Sequence, residues 1–126
     1  PISAIYGLFE ALRIVAEEGL KNRWERHRQN AELLWAGLQD LGLECLVPRS
    51  HRLPSLTTIC VPEGVDEAQV RSQLLQEYNI EIAGGLGELK GKIWRVGLMG
   101  YSSSKENVIL FIEAMRRILH HERIRH

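Results

Sequence analysis

The chain has 126 residues, 44% of them hydrophobic and 25% charged, which suits one compact globular unit. Lysine plus arginine and aspartate plus glutamate number 16 each, so the formal net charge is zero and gives no electrostatic case for nucleic acid or an anionic membrane as partner. No apolar run approaches the roughly eighteen residues of a membrane-spanning helix.

The first helix carries Ile5, Leu8, Phe9, Leu12, Val15 and Ala16 at the spacing of one buried face, with Ser3 as its N-cap. Gly19 marks a break. A second helix runs from about Leu20 to Leu41, where Leu20, Trp24, His27, Ala31, Leu34, Leu38 and Leu41 recur in a narrow heptad-like stripe suited to packing on another helix or a subunit. Gly42 closes it as the C′ residue. His27 lies inside the stripe with no second imidazole or carboxylate at ligand spacing, and reads as a packing histidine.

Leu43 to Val47 reads as a short strand. The loop Pro48 to Pro54 holds Arg49, His51 and Arg52; so basic a loop could touch an anion, but loops of this kind are usually just solvated. Leu56 to Val61, rich in β-branched residues, is a clear strand that ends at the turn Pro62-Glu63-Gly64. Asp66 caps a third helix, with Gln69 three residues on as in a capping box; the buried side is Val70, Leu74, Leu75 and Tyr78, and Asn79 ends it. Ile80 to Ala83 is a brief strand before the glycine turn Gly84-Gly85-Leu86-Gly87. A further strand leads to the turn Gly100-Tyr101-Ser102-Ser103. Ser103 or Ser104 then starts a last helix whose apolar face is Val108, Phe111, Ile112, Met115, Ile118 and Leu119. The basic end, His120 to His126, is expected to fray. Cys45 and Cys60 sit in apolar runs without a CxxC or a histidine cluster and read as buried thiols. The order predicts an α+β layer close to a split β-α-β unit, mostly antiparallel, with helices on one face. Residues 43–126 form that layer; residues 1–42 are long helices that exceed its needs and look like a link to a larger domain.

The chemistry concentrates in the strand that follows the glycine turn. Alternation places Trp94, Val96 and Leu98 on one face, read as core, and Ile93, Arg95 and Gly97 on the other. Arg95 thus has open space beside it, and a guanidinium fork suits bidentate capture of a carboxylate. An edge-strand arginine that snorkels to water is the other reading of the same residues. There is no GxSxG, no Cys with a histidine partner and no metal motif. The glycine turn resembles a phosphate loop only superficially, because a strand follows it; it reads as a turn that lets backbone approach backbone.

Several stretches, in order, resemble one family. They are Pro1-Ile2-Ser3-Ala4-Ile5-Tyr6-Gly7-Leu8-Phe9-Glu10-Ala11-Leu12, Ala16-Glu17-Glu18-Gly19-Leu20, Arg52-Leu53-Pro54-Ser55-Leu56-Thr57-Thr58, Ile80-Glu81-Ile82-Ala83-Gly84-Gly85-Leu86-Gly87 and Gly91-Lys92-Ile93-Trp94-Arg95-Val96-Gly97-Leu98-Met99-Gly100. Together they are similar to the carboxy-terminal portion of the alanine–glyoxylate (serine–pyruvate) aminotransferases, which are class V, fold type I enzymes. The resemblance implies a homodimer using pyridoxal 5′-phosphate. A large domain would hold the cofactor through a lysine, and a small carboxy-terminal domain would complete the cleft. It implies transfer of an amino group from alanine or serine to glyoxylate or pyruvate, with the arginine for the substrate carboxylate falling on Arg95. None of Lys21, Lys90, Lys92 and Lys105 matches the family's lysine motif. No catalytic, cofactor-binding or metal residue is therefore expected in this chain, which alone is expected to be inactive. Pro1 in place of methionine is what a piece of a longer polypeptide would show. Two other readings stay open: a stand-alone module that senses a small carboxylate through Arg95, and a dimerisation domain with the Trp24–Leu38 stripe as its seam. An intracellular setting is expected. Ile124-Arg125-His126 does not match a peroxisomal tripeptide, and peroxisome, mitochondrion and cytoplasm are not distinguished.

Overall fold

The computed structural model describes the backbone of residues 1–124 and side chains as far as His120. The elements are α1 (Ile2–Glu18), α2 (Leu20–Asp40), β1 (Leu56–Cys60), α3 (Glu67–Tyr78), β2 (Ala83–Gly84), β3 (Ile93–Gly97) and α4 (Lys105–Ile124), with single 3-10 turns at Arg49–His51, Gly87–Leu89 and Gly100–Ser102. The sheet order is β1-β3-β2, and β3 runs antiparallel to both neighbours. β1 and β2 are therefore parallel to each other, α3 is their crossover and β3 lies between them, which is the split β-α-β arrangement the sequence predicts.

One face of the sheet carries the core. Ile59, Trp94 and Val96 meet Leu34 and Leu38 of α2, Val70 and Leu74 of α3, and Val108, Phe111 and Met115 of α4 in a single buried cluster. The Trp94 indole N–H donates to the Glu67 carbonyl at 3.1 Å, which anchors the start of α3 on the sheet. At Gly37 an added Cβ would lie 2.7 Å from the Ile112 side chain, so α2 and α4 approach closely enough there that any side chain would push Ile112 aside.

Helix ends follow the local chemistry. Asp66 accepts from the backbone N–H groups of Ala68 and Gln69, and Asn79 ends α3 in the left-handed conformation at φ 55°. After α2, Gly42 N–H donates to Gln39 O and Leu43 N–H to Leu38 O, each at 2.9 Å, with Gly42 at φ 72°. That pair of bonds is the Schellman closure expected of a glycine C′. Ser104 Oγ accepts from Asn107 N–H at 3.2 Å, so Ser104 caps α4, while Ser103 is buried and committed elsewhere.

Several expectations are corrected. α1 begins at Ile2, so Ser3 lies within it, and none of its residues is buried: Ile5, Leu8, Phe9 and Leu12 are all exposed. In the predicted stripe Ala31, Leu34 and Leu38 are buried, whereas Leu20 and Trp24 are exposed. Trp35, outside the stripe, is buried instead, its Nε1–H donating to Thr57 Oγ1 at 2.9 Å. Leu43 to Val47 forms no strand; a single bridge pairs Cys45 with Ile59. The predicted strand Ile80 to Ala83 shrinks to Ala83–Gly84, since Ile80 N–H is still taken by Leu74 O of the preceding helix. Leu75 is exposed. Ile93 shares the sheet face of Arg95 yet is buried, because the glycine turn folds over it: a Cβ on Gly85 would lie 3.0 Å from its side chain. α4 continues to Ile124, past the start of the stretch expected to fray; Arg125 and His126 lie outside the described residues.

Candidate functional site

Arg95 occupies the middle of the central strand, in register with Thr58 on β1 and Ala83 on β2. Directly opposed residues of an antiparallel ladder share a face, so its side chain leaves the sheet on the side away from the helices. The Nε–H donates to the carbonyl of Gly84 at 2.8 Å. That bond sets the plane of the guanidinium. Among the described residues Arg95 takes part in no ion pair, and both Nη groups are left for a ligand. Two parallel Nη–H donors match the two oxygens of a carboxylate.

The half-buried Arg95 lines an open concavity of about 660 Å³. Leu56, Ile82 and Gly97 share its wall, and Glu67, Arg71, Glu81 and Lys90 supply further charge. Arg71 is not available in the same way: its Nε–H donates to Glu67 at 2.7 Å, and that carboxylate raises the guanidinium above its ordinary range. Of the two guanidiniums in the concavity, Arg95 is the one that pairs with no carboxylate among the described residues.

The glycine turn acts through the Gly84 carbonyl. At Gly85 an added Cβ would fall 1.9 Å from the backbone oxygen of Leu89, a collision that no rotamer relieves. Close approach of backbone to backbone, which the sequence suggests for the whole turn, is the use of Gly85 alone, and Gly87 answers instead to its φ of 55°; the turn holds the carbonyl that aims Arg95.

The turn after β3 is tied down by α2. The Gly100 N–H donates to His27 Nε2 at 2.8 Å, and His27 Nδ1 lies 2.7 Å from Arg23 O, which assigns the Nδ1–H tautomer. His27 is the satisfied packing histidine predicted. Arg26 Nη1 donates to the carbonyls of Gly100 (3.0 Å) and Ser103 (2.5 Å), and the Asn30 amide donates to Ser103 Oγ at 3.1 Å. Arg26 and Arg23 also bind Glu18, at the end of α1. Hydrogen bonding from Arg26 first, then from Arg23, draws the Glu18 carboxyl down to about 2.

Arg49 and Arg52 do not form an anion site. Their guanidinium carbons stand 6.0 and 5.4 Å from the centroid of the Trp35 ring, Arg49 also pairs with Glu32, and Arg52 Nε–H donates to Val47 O. His51 is exposed. Cys45 and Cys60 are free and only half-buried, not buried as expected, and partial burial pushes the Cys45 thiol up, away from a reactive thiolate. Among the described residues no group of His, Cys, Asp and Glu is arranged to hold a metal, and no helix is long and apolar enough to cross a membrane. A second cleft, of about 240 Å³, lies on the helix side, bordered by Leu34, Ile80, Val96 and Phe111; no lysine or arginine lines it.

The sequence reading missed the Glu67–Arg71 pair, whose signal is four-residue spacing on one helix face. It also missed Leu56 and Lys90 as walls of the concavity, because only the fold brings those segments together.

The aminotransferase class-V family model matches residues 1–108. The alanine–glyoxylate aminotransferase of Callithrix jacchus is 44% identical over 122 residues, which is 96% of this chain and 30% of that protein. Among solved structures, an alanine–glyoxylate aminotransferase from Nostoc sp. superposes with a TM-score of 0.92 at 55% identity, over 94% of this chain and 32% of that one. The ureidoglycine–glyoxylate aminotransferase of Bacillus subtilis does so with a TM-score of 0.90 at 42% identity, over 94% of this chain and 30% of its own. The chain therefore spans about a third of the length of the relatives it matches.

Proposed function

The chain belongs to the class-V aminotransferase family, and from that premise we propose that it is the small domain of a pyridoxal 5′-phosphate-dependent aminotransferase in which Arg95 grips the substrate carboxylate. The donor is alanine or serine and the acceptor glyoxylate or pyruvate; alanine and glyoxylate are the substrates in the names of the relatives. The observation that carries the reading is the free Nη edge of Arg95, held by Gly84 over an open concavity.

The concavity presents an unpaired guanidinium suited to a carboxylate. Of the four lysines only Lys90 lines it, and none of the four matches the family's lysine motif. The cofactor anchor thus belongs to the part of the protein outside this chain, and α1 with the first half of α2 docks on that part. The complete protein is a homodimer.

The cofactor, where it is bound, supplies the sink for the electrons released at the substrate Cα. Arg95 supplies orientation. Its fork has one N–H tied to Gly84, which restrains the guanidinium plane, and two oxygens seated on the other donors fix the rotation of the substrate about its carboxyl end. Both the amino donor and the oxo-acid acceptor carry that carboxylate, so one clamp serves both half-reactions.

Arg95→Lys in the complete enzyme keeps the charge and removes the fork. Hydrogen bonds to charged groups contribute about 1.5–3 kcal/mol, so kcat/KM for donor and acceptor should each fall by about tenfold to a hundredfold. Unchanged kcat/KM for both substrates would reject the clamp.

A further inference from the structure

Gly97 is a glycine the fold does not ask for. Six glycines of the chain sit at positive φ, where side chains are strained; Gly97 is not among them. Gly85 and Gly37 are required by close contacts with Leu89 and Ile112, and a Cβ on Gly84 would press on the Glu67 carboxylate. A Cβ built on Gly97 meets only the Met99 methyl, at 3.6 Å, which is ordinary contact. Glycine inside a strand is unfavourable on entropy and leaves nothing to pack, and it commonly marks a place where a ligand comes close to the backbone.

Its position says which ligand. Gly97 is two residues from Arg95 on the same strand, so both project to the same face, and both line the same concavity. Across the ladder its partner is Leu56, a partly exposed apolar wall of that concavity. We propose that Gly97 is a specificity-determining position: its missing side chain leaves the space through which a small carboxylate reaches the Arg95 fork. This rests on the Arg95 clamp and adds the size limit to it. On this proposal a methyl on Gly97 narrows that space, with Leu56 the apolar surface across the ladder from it.

The test compares Gly97→Ala, Gly97→Val and Arg95→Lys in the complete enzyme, reading KM for glyoxylate, pyruvate and alanine together with the melting temperature. One added methyl in a fitted pocket changes recognition by about tenfold or more. Gly97→Ala should raise KM for all three by about that factor, and more for pyruvate than for glyoxylate; Gly97→Val should raise each further. Neither should lower the melting temperature by more than a degree or two, because the fold has room for the methyl. Wild-type KM values in Gly97→Ala and Gly97→Val, with Arg95→Lys impaired, would overturn the size limit and leave the clamp standing. Wild-type KM values in Arg95→Lys would overturn the clamp itself. A fall in melting temperature in Gly97→Ala matching the loss of activity would show that the glycine serves the fold, and would also overturn the proposal.

Discussion

Arg95 and the glycines around it show how single residues divide the work. Gly84 supplies the acceptor that sets the guanidinium plane, and Gly85 lets the turn close against Leu89 so that this carbonyl stays in place. Gly85→Ala forces the Leu89 backbone to move. Overpacking of this kind costs about 1–3 kcal/mol or more, so thermal unfolding of the variant should come several degrees early; an unchanged midpoint would contradict the close approach. Arg95 was legible in the sequence because alternation alone separates it from Trp94 and Val96. The carbonyl that aims it was not, since a backbone acceptor leaves no trace in residue type. The Glu67–Arg71 pair was legible in principle from its spacing, but nothing local tells that α3 points it at β2.

At the scale of elements, the second helix does two jobs that one apolar stripe does not reveal. Its second half enters the core through Ala31, Leu34, Trp35 and Leu38, while Arg23, Arg26, His27 and Asn30 in the middle bind Glu18 and the turn that follows β3. Nothing in residue type there hints that these side chains are occupied, because the turn they hold lies more than seventy residues away. Conversely, the strands predicted at Leu43–Val47 and Ile80–Ala83 have the residues for pairing but lose it to helix-end bonds and to a single bridge. The Glu18 network gives a pH-dependent contribution with a defined sign. The Glu18 carboxyl falls in the fold from 4.5 to about 2, so its stabilising effect is complete above about pH 5 and is lost as pH drops through about 2. Glu18→Gln should therefore melt below wild type by a constant margin above about pH 5, with the two converging near pH 2. A margin that persists unchanged at pH 2 would contradict the assignment.

For the whole molecule the informative surface is the uncovered one. Ile5, Phe9 and Trp24 are 63%, 68% and 66% exposed, and the other large apolar side chains of α1 are exposed with them. The spacing of α1 predicts a buried face, and within the described residues that face is exposed. Apolar surface on that scale drives association. The 126-residue chain by itself should sediment as oligomers at micromolar concentration, and replacing Ile5 and Phe9 with glutamate should return it to monomer. A clean monomer without those changes would argue that α1 needs no partner. The α+β layer itself was legible because each of its helices has a capping residue and a one-sided apolar pattern that agree.

The central claim is that Arg95 and a substrate carboxylate recognise each other, and a two-way comparison in the complete enzyme tests it most directly. The measurement is the rate of amino-group transfer from alanine and from ethylamine, which lacks the carboxylate, in wild type and in Arg95→Ala. The account predicts that the substitution slows alanine by a hundredfold or thereabouts, as loss of about 3 kcal/mol implies, and leaves the slow ethylamine reaction unchanged. Equal slowing of both amines would contradict it, because the guanidinium would then be acting on something other than the carboxylate.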